Sequence, residues 1–245
     1  MSGSRKFGSR PTPSILLAAL STLLFLSATL LVDTGTARAA SSEAVEDPPV
    51  AVLVHGWRGT AESFAPMTAA LADHGIDSRA LTLPGDENRA NAQAVADAVD
   101  EVRAEFPGRP VALVTHSMGG LSARHYLKFL GGDEVVADYI AMGTSQSGYW
   151  PACLLPEDGG GQMCPTNPFL AELNAGDDTP GPVRYTALRS TEDESDGALD
   201  GGYCAVPPVD GVPHADEPGD PEFARLVTQS LLEGCPGEYV DLPIE

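Results

Sequence analysis

The sequence predicts a three-layer α/β fold: a mostly parallel central sheet of about six strands with helices on both faces. Two observations predict it. Short apolar runs bounded by turn residues recur along the chain, as strands buried on both faces require. Between them stand stretches with apolar residues three and four positions apart, which is the alternation of βαβ units. The handedness of such crossovers then distributes the helices over both faces.

The elements follow in order. "PVAVLVHG", Pro49 to Gly56, is the first strand and its closing turn. Residues 60–73 carry helical spacing and end near Gly75. "SRALTLPG" is a second strand and turn. "NRANAQAVADAVDEVRAEF" repeats apolar residues at helical intervals (Val95, Ala98, Val99, Val102, Phe106) until Pro107-Gly108 stops it. "PVALVTHS" is the third strand, 118–130 the third helix, and "VADYIAMGT" the fourth strand. From about 145 to 182 the alternation breaks into Pro, Gly, Cys and aromatic residues around a short helical piece, "NPFLAELN". Irregular chain of this length is uncommon unless it lines a site. "VRYTALRS" restores the strand pattern. "YCAVPPVDG" reads as an edge-like last strand because of its two prolines, and 221–233 as the final helix.

The first 39 residues stand apart from this core. Arg5, Lys6 and Arg10 precede an uncharged apolar run, Ile15 to Val32, and Ala37-Arg38-Ala39 follows. A basic start, an apolar middle and a small-x-small end describe a secretory signal peptide cleaved near Ala39. The other reading is an uncleaved membrane anchor, since the run is just long enough to span a bilayer. Residues 40–48 read as a flexible lead-in, and 49–245 as one domain.

Export gives the four cysteines a meaning, because an even number in an oxidising compartment suggests disulfides. Three pairings are open. Cys153–Cys164 and Cys204–Cys235 are favoured, since the first closes a short Gly-rich loop and the second ties a strand to the C-terminal tail. No CxxC spacing exists, so no zinc site is expected, and the acids at 192–200 match no calcium loop. The formal charge is −21; without the first 39 residues, which hold Arg5, Lys6, Arg10, Arg38 and Asp33, ten basic residues face 34 acidic ones. Nucleic acid is not an expected partner for such a surface, and anionic lipid head groups would be repelled by it.

The chemistry gathers where strands end, because ligands of parallel sheets bind outside the carboxyl ends of the strands. His55, Ser117 and Thr144 all fall there. Ser117, in "THSMGG", sits between a strand and a helix, where a sharp turn can lift a hydroxyl out of the sheet as a nucleophile. A serine needs a base to take its proton and a carboxylate to hold the base's tautomer. Of the later histidines, His125 lies two helical turns into the following helix. His214, in "DGVPHADEP", lies in a loop at the strands' carboxyl end and is the candidate. For the acid, Asp193 follows a strand end by three residues, while Asp196, Asp200, Asp210, Glu192 and Glu194 remain as alternatives on the same loops. Backbone N–H groups of Met118 and Trp57 would form the oxyanion site, Gly56 letting the chain approach. His55 has no evident partner ligand and reads as a buttress of that loop.

The segments "VLVHGW", "THSMGG", "NPFLAELNAGDDTPGPVRYTALRSTEDESD" and "VDGVPH" resemble, in the same order, the small secreted bacterial lipases of the α/β-hydrolase superfamily (lipase class 2 type). In that family the acid follows a Tyr-Thr strand and a Ser-x-x-Asp turn, here Tyr185, Thr186, Ser190 and Asp193. The resemblance thus implies Ser117, Asp193 and His214 as a catalytic triad. It also implies hydrolysis of carboxylic esters, often acylglycerols, without a cofactor. Trp57, Tyr149, Trp150, Leu154 and Leu155 are the residues expected to meet an acyl chain. A small-molecule or lipid ester is the expected partner and a monomer the expected state. The loop after His214, "ADEPGDP", is acidic where the small lipases it resembles tend to be apolar, so only transient contact with a lipid surface is expected.

Overall fold

The computed structural model describes residues 47–244. The signal segment and most of the lead-in lie outside the described residues. Seven strands form one sheet in the order β2 (Ser78–Ala80), β1 (Val50–Val54), β3 (Val111–His116), β4 (Val136–Met142), β5 (Arg184–Leu188), β6 (Gly201–Ala205) and β7 (Glu238–Leu242). The first six pair in parallel, and β7 runs antiparallel against β6. The helices are α1 (Ala65–Asp73), α2 (Asn88–Glu105), α3 (Met118–Phe129), α4 (Pro168–Leu173) and α5 (Pro221–Glu233).

Alternation along β1 explains the three layers, because successive side chains point to opposite faces of a sheet. Val50, Val52 and Val54 pack with Val95, Val99 and Val102 of α2 and with Ala123 and Leu127 of α3. Ala51 and Leu53 face the other way, onto Met67 and Leu71 of α1 and Phe223, Leu226 and Val227 of α5. Both faces of β1 are therefore buried, which is why its sequence is continuously apolar. A smaller third cluster joins Met118 and Leu121 of α3 to Phe169, Leu170 and Leu173 of α4. It anchors the irregular 145–182 segment over the end of the sheet. The Arg124 guanidinium, buried in α3, reinforces that anchor by pairing with Asp178 at 3.0 Å, and Lys128 reaches the same carboxylate at 3.3 Å.

The ends of the long helices follow their sequence signals. Glu87 caps α2 by accepting from the Arg89 and Ala90 amides, and α2 stops before Pro107-Gly108. Asp220 caps α5 in the same way, with Pro221 in the first turn.

Two expectations about the sheet need correction. β6 ends at Ala205, before the prolines, and it is not the edge. The edge is a seventh strand, β7, whose five residues are mostly exposed and so carry no apolar pattern. Backbone pairing and the Cys204–Cys235 bond hold that tail in place. The first helix also differs: residues 61–64 wind as a 3₁₀ turn before α1 begins.

Both disulfides of the structure, Cys153–Cys164 and Cys204–Cys235, join the pairs the spacing favours, with Cα separations of 4.6 and 5.5 Å. Among the described residues no helix is long and apolar enough to cross a membrane.

Candidate active site

Ser117 stands between β3 and α3 with φ 54° and ψ −128°, one of two non-glycine residues described with positive φ. Such a backbone costs about 1–3 kcal/mol and persists only where its surroundings enforce it. Three hydrogen bonds do so. The Ser117 amide donates to the Met142 carbonyl at 2.9 Å, and the Ser117 carbonyl accepts from the Gly120 amide and the Thr144 hydroxyl, each at 3.0 Å. The glycine pair is steric. A Cβ on Gly119 would lie 2.4 Å from the His55 carbonyl oxygen, and one on Gly120 would lie 2.2 Å from Thr144 Oγ1. Bare backbone lets the start of α3 rest on the ends of β1 and β4.

His214 begins a 3₁₀ turn, His214–Gly219, in the loop between β6 and α5. Its Nε2 accepts from Ser117 Oγ at 2.9 Å, and its Nδ1 donates to Asp193 Oδ2 at 3.1 Å. A carboxylate only accepts, so this contact sets the imidazole tautomer with its lone pair toward the serine. Asp193 is held in turn by Ser195, whose hydroxyl donates to Oδ2 at 2.8 Å and whose amide donates to Oδ1 at 3.1 Å. Burial works to raise the Asp193 carboxyl, but the hydrogen bonds from His214 and Ser195 outweigh it and hold it below the ordinary value. The Ser190 hydroxyl accepts from the Glu192 and Val212 amides, both at 3.1 Å, and so fastens the acid's turn to the histidine's loop.

The competing acids have other duties. Asp196 accepts from the Gln146 and Ser147 amides at 2.9 and 3.1 Å, and Asp210 accepts from the Thr191 hydroxyl at 3.1 Å. The amide of Asp200 donates to the Asp178 carboxylate at 3.3 Å. Glu192 and Glu194 line the mouth of the pocket described below. His125 is buried against Phe129 and Phe169, away from the serine's partners.

His55 is buried with both nitrogens engaged. Its Nδ1 donates to the Gly56 carbonyl at 2.8 Å, and its Nε2 accepts from the Leu83 amide at 3.0 Å. It ties the loop after β1 to the loop after β2. Gly56 brings that loop against Ser117: a Cβ there would lie 2.7 Å from the Ser117 Cβ.

A pocket of about 330 Å³ opens beside Ser117 and His214, lined by Trp57, Met118, Leu121, Tyr149 and Met163 and by Glu192 and Glu194. That volume suits a small organic ligand. The sequence did not single out Leu121 or Met163. Helical spacing marks Leu121 only as apolar, and Met163 reaches the pocket through the path of an irregular loop. Trp150, Leu154 and Leu155 lie outside it. Trp150 and Leu154 are 68% and 90% exposed, and Leu155 packs under the loop against the third cluster.

Glu217 is a residue that the sequence does not single out. It stands in the acidic loop after His214, yet it is 0% exposed. The 3₁₀ turn folds it back under His214, a reversal no periodicity signals. Burial, with the Asp193 charge beside it, pushes its carboxyl up to about 8. His116, just before Ser117, is buried too, and burial followed by the neighbouring His214 charge pushes it down to about 3. His116, His214 and Glu217 bring ligand-type atoms within 4.8 Å of one another. They do not fit a metal. His116 Nε2 faces the His214 carbonyl at 2.9 Å and must carry a hydrogen to bond it, while His214 Nδ1 spends its hydrogen on Asp193. Neither nitrogen presents a lone pair to a cation.

Residues 51–239 match the family model described as alpha/beta hydrolase family. This chain belongs to the α/β-hydrolase family. The α/β-hydrolase is similar in structure to Aspergillus fumigatus lipase B, with a TM-score of 0.65 and 21% identity over 78% of this chain and 54% of that one. It is similar to the propeptide form of Bacillus licheniformis lipase BlEst2, with a TM-score of 0.65 and 18% identity over 80% and 53%. The product of the gene lin2722 from Listeria innocua matches at a TM-score of 0.53 and 13% identity, over 81% and 99%. The chain spans about half the length of the two lipases. At these identities the likenesses concern the fold.

Proposed function

We propose that this α/β-hydrolase is a serine hydrolase of carboxylic esters, acylglycerols among them, acting through an acyl-enzyme on Ser117. The observation that carries the reading is the continuous hydrogen-bonded line Ser117 Oγ, His214, Asp193 at the mouth of a largely apolar pocket. In the first step His214 takes the Ser117 proton as the oxygen attacks the ester carbonyl, and Asp193 stabilises the imidazolium. His214 then gives the proton to the departing alcohol, and water, with His214 again as base, releases the acid. Met118 begins α3, so its N–H is one of the helix-start donors without an intrahelical partner. With the Trp57 N–H it is the proposed oxyanion site.

Trp57 and Tyr149 line the pocket and are the proposed acyl contacts; the exposed Trp150 and Leu154 are proposed to touch a lipid surface transiently. The paired cysteines, together with the basic–apolar–Ala-x-Ala start, support a secreted protein whose first 39 residues are removed, leaving a domain that begins near residue 49.

The test is hydrolysis of nitrophenyl esters from acetate to palmitate by the native chain and its Ser117→Ala variant. Turnover lost by about 10⁴-fold or more in the variant is expected. Turnover that survives the substitution refutes Ser117 as the nucleophile, and no turnover with any ester refutes the reading and favours a binding protein on a hydrolase fold.

A further inference from the structure

We propose that Glu217 is a second acid for His214, a positioning residue that takes over the Nδ1 hydrogen bond when Asp193 is displaced or removed. The inference rests on the reading of Ser117 and His214 as nucleophile and base.

The geometry is specific. Glu217 lies three residues after His214 on the same 3₁₀ turn, so its carboxyl is attached to the segment that carries the imidazole. Oε1 accepts from the Ser190 amide at 3.2 Å and is thereby oriented. Oε2 is buried without a hydrogen bond of ordinary geometry, and the Asp193 carboxylate is the acceptor beside it when Glu217 carries its proton. Oε2 faces His214 Nδ1 at 3.8 Å and His116 Nε2 at 3.5 Å. Gly143, at φ 56°, makes room for the convergence. A Cβ there would lie 2.2 Å from Glu217 Oε2, 2.6 Å from Asp193 Oδ2 and 2.8 Å from His214 Nδ1. Both carboxyls therefore crowd around the one N–H, with Asp193 holding it and Glu217 less than 1 Å short of hydrogen-bond reach.

An unpartnered buried carboxylate is costly, and two carboxylates beside each other cannot both ionise readily. Glu217 is accordingly held neutral while Asp193 is charged, as its raised carboxyl reflects. The groups facing it include Asp193 and the Ser190 amide from the segment after β5, His116 from β3, and His214 and Asp220 from its own segment. His116 stays neutral and supplies no compensating charge. Removal of Asp193 deletes the nearest like charge and leaves the imidazole N–H seeking an acceptor. Glu217 then ionises and closes the gap, restoring the same tautomer.

Steady-state kinetics with nitrophenyl butyrate from pH 6 to 9.5 decide the matter, using the native chain, Ser117→Ala, Asp193→Ala, Glu217→Gln and the Asp193→Ala/Glu217→Gln double variant. Thermal melts report that each is folded. Loss of a triad acid without replacement lowers kcat about 10⁴-fold. Asp193→Ala alone is expected to fall only about 10–100-fold, with activity that rises with pH as Glu217 ionises, and the double variant to fall the full about 10⁴-fold without that limb. If the alanine variant does not fold, the same comparison is made in an Asp193→Asn background. A merely structural Glu217 would alter the melts and leave the activity of the Asp193 variant untouched by the second substitution. An Asp193 variant as inactive as the double variant overturns the proposal while native turnover keeps the functional reading. Absence of Ser117-dependent turnover in the native chain overturns both.

Discussion

Gly119→Ala tests how the Ser117 turn is seated. The added Cβ would lie 2.4 Å from the His55 carbonyl oxygen and 2.6 Å from that of Val54. Both are backbone atoms, at the last residue of β1 and the one after it, and β1 is hydrogen-bonded between β2 and β3 and cannot yield as a side-chain tip would. To recover an ordinary contact the start of α3 must retreat by roughly 1 Å, carrying Met118 and Ser117 with it. Overpacking of this kind costs about 1–3 kcal/mol. In a chain of this size the melting temperature should then fall by roughly 2–12 °C. A displacement near 1 Å at a reacting centre lowers turnover about 100-fold. The assays are thermal denaturation and nitrophenyl ester hydrolysis, with Gly75→Ala as the comparison. Gly75 has positive φ, 73°, which Gly119 does not, and no atom stands within 4 Å of its added Cβ. That variant should lose about 1–2 kcal/mol from backbone strain alone and keep its activity. If Gly119→Ala melts no lower than Gly75→Ala and turns over within twofold of the native chain, the steric account of the glycine is wrong.

Two further outcomes follow from the same geometry. Ser117→Gly should be more stable than Ser117→Ala by about 1 kcal/mol, because relief of the positive-φ strain exceeds glycine's extra entropy when unfolded; equal melting temperatures would argue that the turn is not strained. Glu217 sits above its ordinary 4.5 in the fold, so the native state holds its proton more tightly and this group's contribution to stability declines as pH rises from about 4.5 to about 8. Glu217→Gln should therefore gain on the native chain across that interval, by up to roughly 5 kcal/mol, and denaturant titrations at pH 5 and 9 that give the same difference would refute it.

The regular elements were legible because burial writes its period into them. β1 is apolar throughout since both of its faces are covered, and α2 repeats at three and four residues since one stripe meets the sheet. The Ser117 junction was legible for a local reason, a serine with small neighbours where strand becomes helix. β7 was not, because an exposed edge strand is held by backbone bonds and a disulfide, neither of which requires an apolar pattern. The loops were least legible. Six acids between Thr191 and Asp210 share the same local character. Asp193 faces His214, whereas Asp196 turns to the amides of Gln146 and Ser147, because of paths set by contacts far along the chain.

Sequence alone determined the layered fold and the strand ends beside which Ser117, Asp193 and His214 stand. Tertiary structure alone decided the contacts that hold Asp193 against the imidazole and that Glu217, in the acidic loop after His214, is buried beneath it. Periodicity records which face of a helix or strand is covered. It holds no record of where an irregular loop turns back on itself, and charge placement in this site depends on that return.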